Sequence, residues 1–359
     1  KKDVRMLAGD RRMKMKKWWF LLLVAALIAG GCGDDDDDDN TAAAVDDDSA
    51  DDDDDDAGDD AADDDVGDDD SADDDTTEPP QCWNDLAVGE KVAFLQDLPG
   101  SEGIAFNSAG ELYASIGNQI ARVYGDGTWE PLADFTDPIG IAFDDDDNLY
   151  IADFGEGNLP APNDGAVYRR DAAGAVTLLV EGIANPNFIA FTPQGTLLVS
   201  DNYTTSIYEV TTAGELSVWY DQVDSPNGMV FSATRDSLYV AGTFAAGNPV
   251  YRIDLDGQSA PMDITTIANL DLLSLPDGIA LDANGMLYVT EDGIGKLVRV
   301  DPATGEYEAI ATGMVTPASM AFGVAPDFDP CSLYVTELIG RHIWRISVGV
   351  AGAPLVNQE

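Results

Sequence analysis

Pro276-Asp-Gly-Ile-Ala-Leu-Asp-Ala-Asn-Gly-Met-Leu-Tyr-Val-Thr290 is the stretch that decides the fold. Two strand-length apolar runs flank an Asn-Gly turn, the pattern of a hairpin. Its first half recurs as Glu102-Gly-Ile-Ala-Phe106, Ile139-Gly-Ile-Ala-Phe143, Asn187-Phe-Ile-Ala-Phe191, Asn227-Gly-Met-Val-Phe231 and Ala318-Ser-Met-Ala-Phe322. Its second half recurs as Leu112-Tyr-Ala-Ser115, Leu149-Tyr-Ile-Ala152, Leu197-Leu-Val-Ser200, Leu238-Tyr-Val-Ala241 and Leu333-Tyr-Val-Thr336. A third phrase follows, as in Val250-Tyr-Arg-Ile253, and most copies add a fourth short strand, as from Leu216 to Tyr220.

Four short strands per unit, at spacings of 37, 48, 40, 50 and 41 residues, are propeller spacing. No apolar run keeps a 3.6-residue period over three turns. The spacing therefore predicts an all-β, six-bladed β-propeller over residues 82–359. The last copy lacks a fourth strand. Lys91-Val-Ala-Phe-Leu-Gln96 has strand character and precedes the first copy, so it is expected to complete blade six from outside and close the ring. Cys82 precedes that strand, and Cys331 precedes the second strand of blade six. Both points fall at one end of the blade, so a disulfide stapling the closure is expected in an exported chain.

Charge divides the rest. The 359 residues carry 18 Lys plus Arg against 68 Asp plus Glu, a formal charge of −50, with one His and three Cys. Nucleic acid is excluded as a partner, because a phosphate backbone needs a basic face. A triad hydrolase has only His342 to use as its base, and a His/Cys zinc cage lacks ligands. Residues 1–33 are basic, residues 34–81 hold 26 Asp and one Glu with no Lys or Arg, and the remainder is moderately acidic.

The basic run Arg11-Arg-Met-Lys-Met-Lys-Lys17 precedes apolar Trp18 to Ala29, too short for a comfortable membrane span. Residues 1–31 are expected to be a secretory signal, with the true start at Met13 or Met15 and residues 1–12 a mis-called extension. Leu27-Ile-Ala-Gly-Gly-Cys32 resembles a bacterial lipobox, with Ala29 where that pattern most often has Leu. The resemblance implies lipidation of Cys32 and a lipid-anchored, exported protein of the bacterial cell envelope, touching the membrane only through its anchor. The Asp runs lack apolar periodicity and are self-repelling, so residues 32–81 are expected to be a disordered linker. Fully extended, it would reach up to about 160 Å at ~3.3 Å per residue.

Because the repeats align, equivalent positions can be compared between blades. The residue that opens each first strand is Glu102, Ile139, Asn187, Asn227, Asp277 and Ala318 in turn. First strands line the channel of a propeller, so four oxygen-bearing side chains are expected near one rim. Hard oxygen ligands, two of them charged, suit Ca²⁺, with Mg²⁺ or Mn²⁺ as alternatives. Pro-Asn-Gly and Pro-Asp-Gly are also good turn sequences, so Asn227 and Asp277 as simple turn formers is the competing reading; Glu102 is no turn former.

Ser225-Pro-Asn-Gly-Met-Val-Phe231, the Pro276 phrase and the Glu102-Gly phrase resemble the senescence-marker-protein, gluconolactonase and luciferin-regenerating-enzyme family of six-bladed propellers, with diisopropylfluorophosphatase as a more distant relative. The resemblance covers residues 100–347. It implies one divalent cation at the channel mouth, with Glu102, Asn227 and Asp277 as ligands and Asn187 as a fourth ligand or substrate contact. Sugar-lactone enzymes of the family often carry an Arg two residues before the third-blade Asn; this chain has Asn185 there.

Three further features are expected to be bystanders. The acids ending second strands, Asp153, Asp201, Glu291 and Glu337, read as solvated loop residues. Asp144–Asp147 read as a charged turn at the opposite rim, and His342 as a surface His. Two functions remain open. One is a monomeric divalent-metal-dependent hydrolase of small lactones or esters, with Asp277 doubling as general base. The other is a non-catalytic cell-surface propeller of the NHL type that binds a protein or carbohydrate; the fold alone does not choose.

Overall fold

The structure, a computed structural model, describes residues 80–156 and 163–354. The expected signal, Cys32 and nearly all of the Asp-rich linker lie outside the described residues. Six four-stranded antiparallel sheets follow one another along the chain. Blade one is Ser101–Phe106, Leu112–Ile116, Gln119–Val123 and Trp129–Asp134; blade two is Pro138–Phe143, Leu149–Asp153, Gly165–Arg170 and Val176–Ile183. Blade three is Pro186–Phe191, Leu197–Asp201, Ile207–Val210 and Leu216–Tyr220; blade four is Pro226–Phe231, Ser237–Gly242, Pro249–Leu255 and Pro261–Asn269. Blade five is Pro276–Leu281, Leu287–Glu291, Lys296–Val300 and Tyr307–Thr312. Blade six is Pro317–Phe322, Ser332–Glu337 and Ile343–Ser347, completed on its outer edge by Lys91–Leu95. Lys91 pairs with Ile346 and Val92 with Arg345. This is the six-bladed β-propeller, closed by its N-terminal strand, that the repeat predicts.

The core lies between blades rather than within them. Second strands such as Leu112–Ile116 and Leu149–Asp153 are buried along their whole length, because a neighbouring sheet covers each face. The repeated Tyr of one blade meets the repeated Phe of the next edge to face: Tyr113 with Phe143 at 5.0 Å, Tyr150 with Phe191 at 5.2 Å, Tyr288 with Phe322 at 5.7 Å. Such pairs add roughly 0.5–1.5 kcal/mol beyond the area they bury. Where blade five has Leu281 in place of Phe, Tyr239 packs on that Leu.

Hydroxyls clip the inner strands together. Ser115 accepts the Gly103 N–H (2.7 Å) and donates to the Ile139 carbonyl of blade two (3.1 Å). Thr290 does the same between Gly278 and Ala318 of blade six. Thr336 bridges Ser319 to the Glu102 carbonyl at 2.5 Å and so joins the last blade to the first.

Cys82 and Cys331 form a disulfide with Cα atoms 5.2 Å apart. Beside it, buried Arg345 pairs with Asp329 (2.9 Å) and Asp85 (2.5 Å) and lies 4.7 Å from the Trp83 ring centroid. Reducing the disulfide is expected to lower the unfolding free energy by ~2–5 kcal/mol, read as a fall in the denaturant midpoint. An unchanged midpoint would mean that strand pairing and the Arg345 cluster hold the closure unaided.

Candidate functional site at the channel mouth

Each first strand starts one residue earlier than the repeat predicts, at Ser101 in blade one and Pro276 in blade five. A register shift follows at once, between Ser101 and Ile104 and between Pro276 and Ile279, and likewise in the other four. A bulge of this kind re-aims the side chain it carries. It falls on Glu102, Ile139, Asn187, Asn227, Asp277 and Ala318. Asn227 and Asp277 therefore sit inside strands, and turn formation is not what selects them. The Gly after them serves close approach: a Cβ on Gly228 would lie 2.3 Å from the Asp277 carbonyl oxygen.

The polar part of this ring is buried. Asn187 and Asn227 are closed to solvent, and Glu102 is half-buried. The Asn227 carboxamide donates to Thr243 Oγ1 (2.9 Å), which donates to the Pro276 carbonyl (2.6 Å), while Asn227 Oδ1 has no hydrogen-bond partner. Burial pushes the Asp277 carboxyl up to about 7, against a hydrogen bond from Asn227 that favours its ionised form. Asp292, buried in the short 3₁₀ turn Asp292–Ile294, is pushed well above the usual carboxylate range by burial first and by the Asp277 charge second. Its Oδ1 also lacks a partner. Near the rim, burial and the Glu102 charge raise the Tyr203 phenol.

Asp292 is the residue that comparing only strand openers misses. The signal was one step away in the repeat: the residue after each second strand is Gly117, Phe154, Asn202, Thr243, Asp292 and Leu338. Its polar members fall in blades three, four and five, the blades of Asn187, Asn227 and Asp277. Asn202 Oδ1 and Asn185 Oδ1 are likewise buried without partners.

Among the described residues no three His, Cys, Asp or Glu side chains form a metal-ligating group. The donor set still fits a hard divalent cation. Two neighbouring buried carboxyls, one beside an orphaned carboxamide oxygen, are groups that such an ion would satisfy and that otherwise carry a desolvation cost.

The expected bystanders divide. Asp153, Asp201, Glu291 and Glu337 are not solvated; all four are buried. Asp153 accepts the N–H groups of Thr136 (3.0 Å), Asp137 (2.8 Å) and Gly155 (3.0 Å). Glu337 accepts the Val315 N–H at 2.6 Å. The loop that leads into a first strand has donors to satisfy, and Asp153, Asp201 and Glu337 satisfy them, whereas both carboxylate oxygens of Glu291 are buried without a partner. Asp144 closes its own turn by accepting the Asn148 N–H (2.8 Å), and Asp147 ties that turn to Ser108 of blade one. His342 stacks on Trp344 and meets Glu337 at 3.0 Å, away from the axis. Asn185 turns to Asp201 (3.5 Å), so the position where sugar-lactone enzymes often place an Arg is filled by a buried structural amide.

The SMP-30/gluconolactonase/LRE-like region matches residues 80–210 and again residues 199–338. The chain belongs to this family. Family relatives include YvrE of Bacillus subtilis (strain 168), provisionally named a sugar lactone lactonase, which is 30% identical over 136 residues, 36% of this chain and 44% of YvrE. Regucalcin of Xenopus laevis is 27% identical over 119 residues, 33% of this chain and 39% of regucalcin. The matched segment thus spans less than half the length of these relatives. A solved gluconolactonase of Xanthomonas campestris superposes with a TM-score of 0.61 at 23% identity, over 75% of this chain and 94% of that one. At that identity the likeness speaks for the fold.

Proposed function

We propose that this family member is a divalent-cation-dependent hydrolase of lactones or related esters, working at the channel mouth. The observation that carries the reading is the buried set of Asn227, Asp277 and Asp292, with partnerless oxygens on Asn227 and Asp292. Glu102, Asn227 and Asp277 would hold the cation, with Asn187 and Asp292 beside them; Ca²⁺ is the favoured ion, and Mg²⁺ or Mn²⁺ are alternatives. When bound, the cation supplies Lewis acidity toward a substrate carbonyl. The chain's own contribution is proton handling and orientation. Asp277 and Asp292 lie where water is scarce, and either carboxylate oxygen can take the proton of an attacking water. The Thr243 hydroxyl fixes the Asn227 carboxamide and thereby the direction of its oxygen. Supporting the reading are the family membership and the lactonase name carried by YvrE. The leader and Asp-rich stretch add a proposal of place: lipidated at Cys32 and held at the bacterial envelope. Intact mass of the mature protein without a lipid would overturn that.

The test of the ion is calorimetric titration of Ca²⁺ into the full chain and into Asp277→Ala. Any cation taken up by the Asp runs is common to both, so the difference isolates the channel. One tight site present only in the parent is expected, followed by hydrolysis in a lactone and aryl-ester screen. A tight site without turnover on any ester would favour the non-catalytic binding propeller, and no difference between the two proteins would end the ion reading.

A further inference from the structure

A cleft of about 990 Å³ opens on the same rim, between the loops that follow second strands in blades three and four and the loop that precedes blade five. It adjoins the polar site through Thr243, which is part of its wall and holds Asn227 by a hydrogen bond of 2.9 Å. The rest of the wall is unusual for an acidic surface. Tyr203 and Phe244 lie 5.3 Å apart in the wall, and Phe154 packs 6.1 Å from Tyr203 outside the cleft. Leu272, in the same wall, is 83% exposed, more than any other large apolar side chain among the described residues. The backbone on either side of Ser274 is left-handed at two leucines, with φ of 65° at Leu273 and 50° at Leu275. That conformation is unfavourable for a branched side chain and is held only where the surroundings insist.

Four polar side chains of the wall are committed inward, while the Asn202 carboxamide oxygen is buried without a partner. Ser225 donates to the Asn202 carbonyl (2.6 Å), Thr243 to the Pro276 carbonyl, Thr204 to the Asp201 carbonyl (3.2 Å) and Asn248 to the Asp271 carbonyl (2.9 Å). A sugar ring, which needs a hydrogen-bond partner for nearly every hydroxyl, finds few here. No Lys or Arg lines the cleft, and Asp224 does, so an anionic ligand is disfavoured as well. Volume and lining suit a small ligand that is apolar over most of its surface.

We infer that this cleft receives the apolar arm, alkyl or aryl, of a neutral lactone or ester whose carbonyl lies at Asp277 and Asn227. The inference rests on the hydrolase reading above and names its substrate class: lipophilic rather than sugar lactones. The aromatic pair of Tyr203 and Phe244 and the exposed Leu272 then have one explanation.

The test is equilibrium binding. The full chain, with Ca²⁺, is titrated with γ-lactones from γ-butyrolactone to γ-dodecalactone, and turnover is followed in parallel. Affinity is expected to rise about fourfold per methylene until the cleft is full, the ratio that ~0.8 kcal/mol per buried CH₂ gives. Leu272→Asp and Ala246→Trp change exposed positions, so folding is retained. Each is expected to weaken γ-dodecalactone at least tenfold. An affinity that does not depend on chain length, or long-chain binding untouched by both variants, overturns the cleft; if lactones are nevertheless hydrolysed, the hydrolase reading survives. Chain-length-dependent binding that both variants weaken, without hydrolysis of any lactone, keeps the cleft as a lipophilic-ligand site and overturns the hydrolase.

Discussion

Asp277→Asn is expected to make the cation-free protein more stable while removing its cation site. In the parent, the Asp277 carboxyl is held near 7 in the folded state, against 3.8 for the free side chain. Between those values the folded protein binds a proton that the unfolded chain does not. Stability from this group therefore falls as pH rises from about 4 to 7, and the deficit is complete above 7. At about 1.4 kcal/mol per pH unit the deficit approaches ~4 kcal/mol as an upper bound. Asn keeps the shape and carries no charge, so it escapes the deficit. Denaturant midpoints in chelator should show the variant above the parent at pH 8 and level with it at pH 4. Adding Ca²⁺ should reverse the order at pH 8, because only the parent gains binding free energy. A variant less stable than the parent at pH 8 in chelator would mean that Asp277 makes a favourable contact as an anion without any ion.

Gly103→Ala is expected to destabilise the fold strongly. A Cβ there would lie 2.1 Å from the Ile139 carbonyl oxygen, and on Gly140 it would lie 2.2 Å from the Asn187 carbonyl oxygen. The obstacle is backbone of the next blade, pinned by the Ser115 hydroxyl, so no side chain can swing aside. Relief requires moving one blade against another, which costs ~3 kcal/mol or more and disturbs every blade interface round the ring. Gly257→Ala is the control, since nothing lies within 4 Å of its Cβ position. A Gly103→Ala protein with the control's midpoint would show that inner strands are not packed this closely.

The fold was legible because each blade repeats the same hairpin, and six copies average out the local irregularities that mislead a single one. The closure by Lys91–Leu95 was legible for a topological reason: one blade was short of a strand and one strand was spare. The site was legible in part. Asn227 and Asp277 stood out by phase within the repeat, but the phase of one strand end shows only one layer of the channel wall. Asp292 sits in the short turn after the second strand of blade five, and its nearness to the Asp277 charge, which no spacing rule reports, is what sets it apart from the other buried acids. Burial explains the misreading of Asp153 and Glu337. A carboxylate at a strand end looks solvated in sequence, whereas these take the N–H groups of a neighbouring loop that is distant along the chain.

The disulfide has a mechanical consequence. A pull applied to the chain ahead of Cys82 meets a covalent bond to Cys331 before it reaches the strand Lys91–Leu95. Load then passes into the well-buried inner part of blade six, and the outermost strand, whose hydrogen bonds would otherwise open one after another like a zip, is shielded from force. A propeller held by its N-terminal side could be tugged by flow or by a bound surface without its ring coming undone.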